Sequence, residues 1–125
     1  MAAFLAASRR GDFKALLAIL GHDVVLRADA VAVRMASARR AQGAPTLSEE
    51  ARGRETVAEV FAGRAAQSQP ALIDGGPGAV WALEGQTRAA FLMKWSEGRI
   101  VEIEIVADPR RLRALDIVVE PEPAG

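Results

Sequence analysis

The stretch "TRAAFLMKWSEGRIVEIEIVADPRRL", residues 87–112, decides the fold of this chain. In its first two-thirds, apolar and polar residues alternate on both sides of Ser96-Glu97-Gly98. Such alternation is typical of strands that bury one face, and a short loop with glycine is typical of a hairpin. The stretch therefore predicts a long antiparallel hairpin with one apolar face.

The register of this hairpin follows from the requirement that cross-strand neighbours share a face. A two-residue loop would place Met93 opposite Glu102, so we predict a three-residue loop with Gly98 in the left-handed conformation. The predicted pairs are Met93 with Val101, Phe91 with Ile103, and Ala89 with Ile105. The predicted apolar face consists of Ala89, Phe91, Met93, Trp95, Val101, Ile103 and Ile105. The predicted polar face carries Arg88, Lys94, Glu102 and Glu104.

The hairpin leads into "IVADPRRL", where a strand-forming run meets Asp108-Pro109. Asp is a good N-cap and Pro suits the first helical position, so a short helix is expected to begin here. This helix is either a solvated terminal element or an amphipathic turn that docks on an acidic partner. Its candidate contact residues are Arg110, Arg111, Leu112, Arg113 and Leu115.

Helical patterns dominate the first half of the chain. "AAFLAASRR" ends at Gly11, and Asp12 caps "FKALLAIL". "DVVLRAD" predicts a strand, after which Asp29 caps a helix in "AVAVRMASARR". Residues 41–53 have no periodicity and are expected to form a surface loop, and "RETVAEVFAGRA" predicts a further helix.

Strand patterns dominate the second half. "PALID" and "GAVWALE" precede the long hairpin and are joined by "DGGPG". The sequence thus predicts an α+β fold with about three helices packed on a curved antiparallel sheet. The 125 residues suit a single domain, assigned to residues 1–117, with a C-terminal tail at 118–125.

Composition excludes several classes of function. Lys and Arg together number 16, as do Asp and Glu, so net charge gives no support for direct nucleic-acid binding. The chain has no cysteine, hence neither disulfides nor thiolate metal sites. No apolar run is long enough for a membrane span, and no leader pattern precedes the first helix. We expect a cytoplasmic protein without membrane contact.

Few residues are suited to catalysis. His22 is the only histidine, and "GHD" is read as a turn. Glu102 and Glu104 share a strand face but are expected to be offset by neighbouring cations. No Ser-His-Asp or Cys-His set can be assembled, so no catalytic residue, metal ligand or cofactor is predicted. Asp29 and Asp74 each follow a strand and remain open as a proton-transfer base or as ordinary capping and turn residues.

Two further motifs have alternative interpretations. Asp74-Gly75-Gly76-Pro77 resembles a phosphate loop superficially but lacks the Lys-Ser/Thr ending, so a tight turn between strands is favoured. The aromatic and apolar strand residues are core residues or the lining of a ligand pocket. The candidate pocket comprises Asp29, Trp81, Phe91, Met93 and Trp95.

Taken together, residues 4–117 closely resemble the C-terminal SnoaL-like domain of certain extracytoplasmic-function sigma factors. The most specific features are the Asn/Asp-Gly-x-Pro turn, here Asp74 to Pro77, and the Asn/Asp-Pro-x-x-Leu ending, here Asp108 to Leu112. The resemblance implies the cone-shaped fold of nuclear-transport-factor-2-like proteins, ketosteroid isomerases and polyketide cyclases. Because that fold hosts enzymes, binding pockets and scaffolds, it does not decide the function.

In those sigma factors the appended domain is thought to govern the promoter-recognition domains, in part through the Asn/Asp-Pro-x-x-Leu segment. The sigma helices are missing from this sequence, which implies an excised domain or a stand-alone relative that acts in trans. The glycine-rich patch that often follows the first strand is replaced by "DAVAVRM", which puts any contact of that patch in doubt.

We hypothesise a regulatory domain whose partners are sigma-factor core domains or RNA polymerase, with a pocket that is vestigial or binds a small apolar ligand. The alternative is a small isomerase- or cyclase-type enzyme acting on a hydrophobic substrate. A homodimer through the polar sheet face is expected in either case.

Overall fold

A computed structural model of the chain describes residues 2–38, 47–62 and 68–119. Its helices in these ranges are α1 (Ala2–Arg10), α2 (Phe13–Ile19), α3 (Ala30–Ala38), α4 (Arg54–Phe61) and α5 (Pro109–Ala114). Its strands are β1 (Leu20–Ala28), β2 (Glu50–Arg52), β3 (Ser68–Ile73), β4 (Gly76–Leu83), β5 (Gln86–Ser96), β6 (Arg99–Val106) and β7 (Ile117–Val119). The α+β class is confirmed, although the described helices number five rather than about three.

The helix boundaries follow the capping residues in the sequence. Asp12 accepts a hydrogen bond from the Ala15 N–H and starts α2, as predicted. Asp29 accepts one from the Ala32 N–H and starts α3, and Asp108 accepts one from the Arg110 N–H and starts α5. An N-cap carboxylate satisfies an N–H that the helix itself cannot pair. All three predicted helix starts are therefore confirmed.

All seven described strands form one curved sheet in the order β2-β1-β6-β5-β4-β3-β7. The prediction of a purely antiparallel sheet is wrong at one position, because β1 pairs with β6 in parallel. The predicted loop at 41–53 also contains a strand: β2 pairs antiparallel with β1, with Leu26 opposite Ala51. Residues 41–46 of that loop lie outside the described part of the chain.

Three consecutive hairpins share one turn chemistry. Asp74-Gly75, Glu84-Gly85 and Glu97-Gly98 each form a two-residue loop in which both residues have positive φ. This is the type I′ turn, whose twist matches that of the flanking strands. The predicted tight turn at Asp74 is confirmed, whereas the predicted three-residue loop before Gly98 is wrong.

The predicted register of the long hairpin is consequently wrong by two residues. Phe91 pairs with Ile105 and Met93 with Ile103, but near the turn Trp95 pairs with Ile100. Val101 is the extra residue of a β-bulge, which turns its side chain outward and leaves it 39% exposed. Ile100, which was not assigned to the apolar face, is fully buried in its place.

The main core lies between the helices and one face of the sheet. Phe4 packs edge-on against Phe61 with ring centroids 5.3 Å apart, and Phe61 packs similarly against Phe91 at 6.2 Å. The buried Ser8 hydroxyl donates to the carbonyl of Phe61, and Arg9 donates to the carbonyl of Ser68. These contacts fix α1 against α4 and β3.

A second, smaller core lies on the opposite face of the sheet. It consists of the buried residues Ala71, Ile73, Val80 and Ala90, covered in part by Leu92, Leu112, Leu115 and Ile117. Leu92 belongs to β5, whereas the other three covering residues lie between the start of α5 and the start of β7. In the sheet, β6 and β7 are separated by β5, β4 and β3. The chain after β6 must therefore cross this face to reach the far edge.

The chain after α5 differs from the prediction of a C-terminal tail at residues 118–125. Val118 and Val119 belong to β7, where they pair with Leu72 and Ala71. The strand-forming run Ile117–Val119 can pair because the edge of β3 is within reach of α5. Residues 120–125 lie outside the described part of the chain.

The turns offer a test of the assigned register. Glu97 has a φ of 52°, a conformation that Asn tolerates better than Glu. Replacing Glu97 with Asn should raise the free energy of unfolding by about 0.5–1 kcal/mol in urea denaturation. Replacing it with Gln keeps the length and shape of the side chain and removes the charge, and should change stability by less than about 0.5 kcal/mol. Equal effects of the two variants would contradict the type I′ assignment.

Candidate functional site

A groove with a volume of about 690 Å³ lies where α3, α5 and the end of the β4–β5 hairpin meet. Its apolar lining consists of Val31, Met35, Trp81, Ala107, Pro109 and Leu112. Its polar lining consists of Gln86, Thr87, Arg88 and Arg113. The Asp108–Leu112 segment and Trp81, singled out separately in the sequence, thus border one surface feature.

Arg88 reaches the groove because of a second β-bulge. Trp81 pairs with Ala89 and Ala82 pairs with Thr87, which leaves Arg88 as the extra residue between them. Arg88 lines the groove and forms no ion pair with Glu102 or Glu104, so the prediction that it offsets these glutamates is wrong. Arg88 is half-buried, and its Nε has no hydrogen-bond partner among the described residues. A regular alternation of faces could not reveal this placement.

The Asp29 carboxylate links the backbone of elements around the groove and is not among the residues that line the groove. One carboxylate oxygen accepts the Ala32 N–H at 2.8 Å. The other accepts the N–H groups of Ala107 at 2.9 Å and of Asp108 at 3.0 Å. The Asp29 N–H also donates to the Ile105 carbonyl at 3.1 Å. A single side chain therefore joins the start of α3 to the end of β6 and the start of α5.

The charge on Asp29 is stabilised by these contacts. Burial by itself raises the pKa of Asp29, but the N–H donors of Asp108, Ala32 and Ala107, together with the positive charge of Arg111, outweigh it and hold the pKa below its ordinary value. The nearest Arg111 nitrogen is 3.8 Å from the carboxylate. A carboxylate with a lowered pKa is a poor proton acceptor, which weakens the interpretation of Asp29 as a catalytic base.

Asp74 likewise has a structural role. Its carboxylate accepts the Asp116 N–H at 2.9 Å, and its own N–H donates to the Asp116 carbonyl at 2.8 Å. The turn motif at Asp74 to Pro77 is thus fastened to the connection between α5 and β7. This pair of hydrogen bonds links the turn at Asp74 to the residues that follow the Asp108–Leu112 motif in the chain.

The polar sheet face is largely paired within the chain. Glu102 contacts Arg27 at 2.6 Å and Lys94 at 3.5 Å. Glu104 accepts a hydrogen bond at 3.0 Å from Arg111, and this bond is the main reason why the pKa of Arg111 is raised. The prediction that cations offset both glutamates is confirmed. Lys94 pairs with Glu102 as expected, while Arg27 pairs with Glu102 and Arg111 with Glu104 in place of Arg88.

The remaining members of the predicted pocket belong to the main core. Met93 is buried, and Phe91 and Trp95 pack against the main cluster. Trp81 lies at the edge of that cluster and is the only one of the five predicted pocket residues that lines the groove. Val31, Met35 and Arg88 were missed, because a sequence pattern shows which face a residue occupies but not where two elements leave space.

Metal and membrane sites find no support in the described ranges. Across residues 2–38, 47–62 and 68–119, no group of three or more His, Cys, Asp or Glu side chains could hold a metal ion. No helix within the same ranges is long and apolar enough to cross a membrane.

Comparison with known proteins shows similarity in structure. No family model and no curated protein matches the sequence. The crystal structure of the extracytoplasmic-function sigma factor SigJ of Mycobacterium tuberculosis matches with a TM-score of 0.62 at 20% identity, over 90% of this chain and 42% of SigJ. The present chain therefore spans less than half the length of that structure.

Two further solved structures match over most of their own length. An NTF2-like protein of unknown function from Cytophaga hutchinsonii has a TM-score of 0.52 at 15% identity, with 90% of this chain and 89% of that chain covered. A bacterial protein with a cystatin-like fold from Silicibacter pomeroyi has a TM-score of 0.54 at 20% identity, with 88% and 74% covered. The nuclear-transport-factor-2-like fold that the resemblance implied is confirmed.

The role of Asp29 is testable by comparison with a second N-cap. Asp29→Ala removes the acceptor of three backbone N–H groups and should lower the free energy of unfolding at pH 7 by about 2–4 kcal/mol. Asp12→Ala removes the acceptor of one N–H group and should cost about 1 kcal/mol. Urea denaturation measures both variants, and equal losses would contradict the proposed junction.

The pH dependence provides a second measurement. Because the folded-state pKa of Asp29 is lowered, its charge stabilises the fold fully above the unfolded-state pKa of about 3.9. This contribution is lost as the pH falls through the folded-state pKa. The difference in stability between wild type and Asp29→Ala should therefore shrink below about pH 4. A difference that stays constant down to about pH 2.5 would show that the charge of Asp29 does not contribute.

Proposed function

We propose that this chain is a regulatory interaction domain that controls an extracytoplasmic-function sigma factor, either in cis or in trans. It acts by binding the promoter-recognition domains, alone or with RNA polymerase, and thereby sets their activity in transcription initiation. The observation that carries the proposal is the presentation of the Asp108–Leu112 segment as a capped helix on the surface. The match to SigJ supports it at the level of the fold.

The helix α5 has the properties of a docking element. Asp108 and Pro109 define its first turn, and Arg110, Arg111 and Arg113 are exposed. Arg111 is engaged with Glu104 and Asp29, whereas Arg110 and Arg113 form no ion pair with a described carboxylate. Two arginines without an ion pair to a described carboxylate favour an acidic partner surface, and Arg110 is the one of the two that does not line the groove.

Leu112 contributes to the site in a different way than the sequence suggested. It is half-buried and covers the second core, beside Leu115. A change of Leu112 to Asp would therefore place a charge against the second core and would disturb the position of α5 itself. Loss of binding in that variant would not separate a lost contact from a displaced helix.

The alternative function is a small isomerase- or cyclase-type enzyme acting on a hydrophobic substrate. The volume of the groove favours a ligand of moderate size. Among the described residues that line it, however, there is no carboxylate, histidine or cysteine to transfer a proton or attack a substrate. Asp29 and Asp74 are engaged by backbone N–H groups. This alternative is therefore the weaker of the two.

The docking proposal is tested by charge reversal at an exposed arginine. Arg110→Glu should weaken binding of the purified domain to sigma-factor promoter-recognition domains of the same organism by at least about fivefold. The loss should be larger at low salt than at high salt, because the contact is electrostatic. Calorimetric titration measures both effects.

Arg99→Glu is the matched control for this variant. Arg99 is exposed and lies at the first residue of β6, at the opposite end of that strand from α5. Arg99→Glu makes the same change in net charge and should leave the affinity unchanged. Equal losses in both variants would indicate a non-specific charge effect, and saturable binding unaffected by Arg110→Glu would remove α5 from the interface.

A further inference from the structure

We propose that the groove between α3, α5 and the β4–β5 hairpin binds a small apolar molecule that carries one anionic head group. An alkyl carboxylate is the simplest representative of this class. The proposal concerns the groove itself and does not depend on the docking function of α5.

The groove suits the apolar body of such a ligand. Its volume of about 690 Å³ is within the range of small-molecule sites in proteins, roughly 300–1,000 Å³. Side chains of α3 (Val31 and Met35) and of α5 (Pro109 and Leu112) supply apolar surface, and Trp81 adds an aromatic ring. Three separate elements would therefore contact the ligand, which favours a compact molecule over an extended peptide.

The charges at the groove favour an anionic head group. Arg88 and Arg113 both line it, and neither forms an ion pair with a described carboxylate. No Asp or Glu is found among its described lining residues. Guanidinium groups bind carboxylates through paired, charge-assisted hydrogen bonds. An anion placed between these arginines would meet positive charge without a competing negative one.

Arg88 is the residue that makes this preference specific. Its Nε is buried and has no hydrogen-bond partner among the described residues. No described residue forms a hydrogen bond or an ion pair with the rest of the guanidinium either, so a ligand carboxylate that binds its terminal nitrogens meets no competing partner. A neutral hydroxyl would bind this guanidinium less well than a carboxylate, because charge-assisted hydrogen bonds are about twice as strong.

Titration of the full chain with matched eight-carbon probes tests the proposal. Octanoate should bind saturably with a Kd below about 1 mM, and octanol should bind at least about tenfold more weakly. Acetate has the charge without the apolar chain and should show no saturable binding. Equal affinities for octanoate and octanol, or no saturable binding of octanoate below about 5 mM, would overturn the proposal.

Substitutions at two arginines locate the head group. Arg88→Met keeps an unbranched stem and removes the charged guanidinium. It should weaken the binding of octanoate about tenfold and leave the binding of octanol unchanged. Arg110→Met is the control, because Arg110 is exposed on α5 and does not line the groove. Equal losses in the two variants would overturn the assignment of Arg88.

Thermal melting of each variant checks that the fold is retained. The comparison of octanoate with octanol uses the wild-type protein and does not depend on any variant.

The outcomes for the groove and for the docking helix are separable. No partner protein is present in the probe titration, so its failure leaves the docking proposal untouched. Conversely, Arg110→Glu can abolish partner binding without changing the affinity for octanoate, because its side chain is not part of the groove lining.

Discussion

The carboxylate of Asp29 is the contact on which the geometry of this end of the molecule depends. It accepts N–H groups from α3 and from the residues that follow β6. The Asp29 N–H extends the parallel β1–β6 pairing by donating to Ile105. A carboxylate can accept several hydrogen bonds at once, which lets one side chain align three elements. The groove has its shape because α3 and α5 both begin at this carboxylate.

Two β-bulges determine which side chains reach the functional surfaces. A bulge inserts one residue and thereby exchanges the faces of the residues on either side of it. At Val101 the bulge compensates for the two-residue turn, so that Met93 still meets Ile103 rather than Glu102. At Arg88 the extra residue of the bulge lines the groove. Both cases show that the sheet face of a residue can be assigned from alternation only up to the next β-bulge.

The sequence predicted those features whose causes are local. Asp12, Asp29 and Asp108 indicated helix starts because capping depends on one residue and its nearest N–H groups. The parallel pairing of β1 with β6, the addition of β7 to β3, and the groove depend on residues far apart in the chain. Register predicted from face-sharing alone failed by two residues, since it does not distinguish a longer loop from a bulge. The sequence predicted Asp29 as a helix cap. Its further contacts with the N–H groups of Ala107 and Asp108 could not be predicted, because no local pattern connects these residues to it.

The helix α5 joins the proposed ligand site to the proposed docking site. Leu112 contacts the second core and also lines the groove, while Arg110 on the same helix is exposed. A short helix of six residues has little stability of its own, so its position is set by these contacts and by its cap on Asp108. Any ligand that packs against Pro109 and Leu112 therefore changes the free energy of holding α5 in place. By thermodynamic linkage, a partner that binds α5 in this position must favour such a ligand to the same extent. The arrangement allows a small molecule to bias a protein–protein contact without a large rearrangement of the sheet.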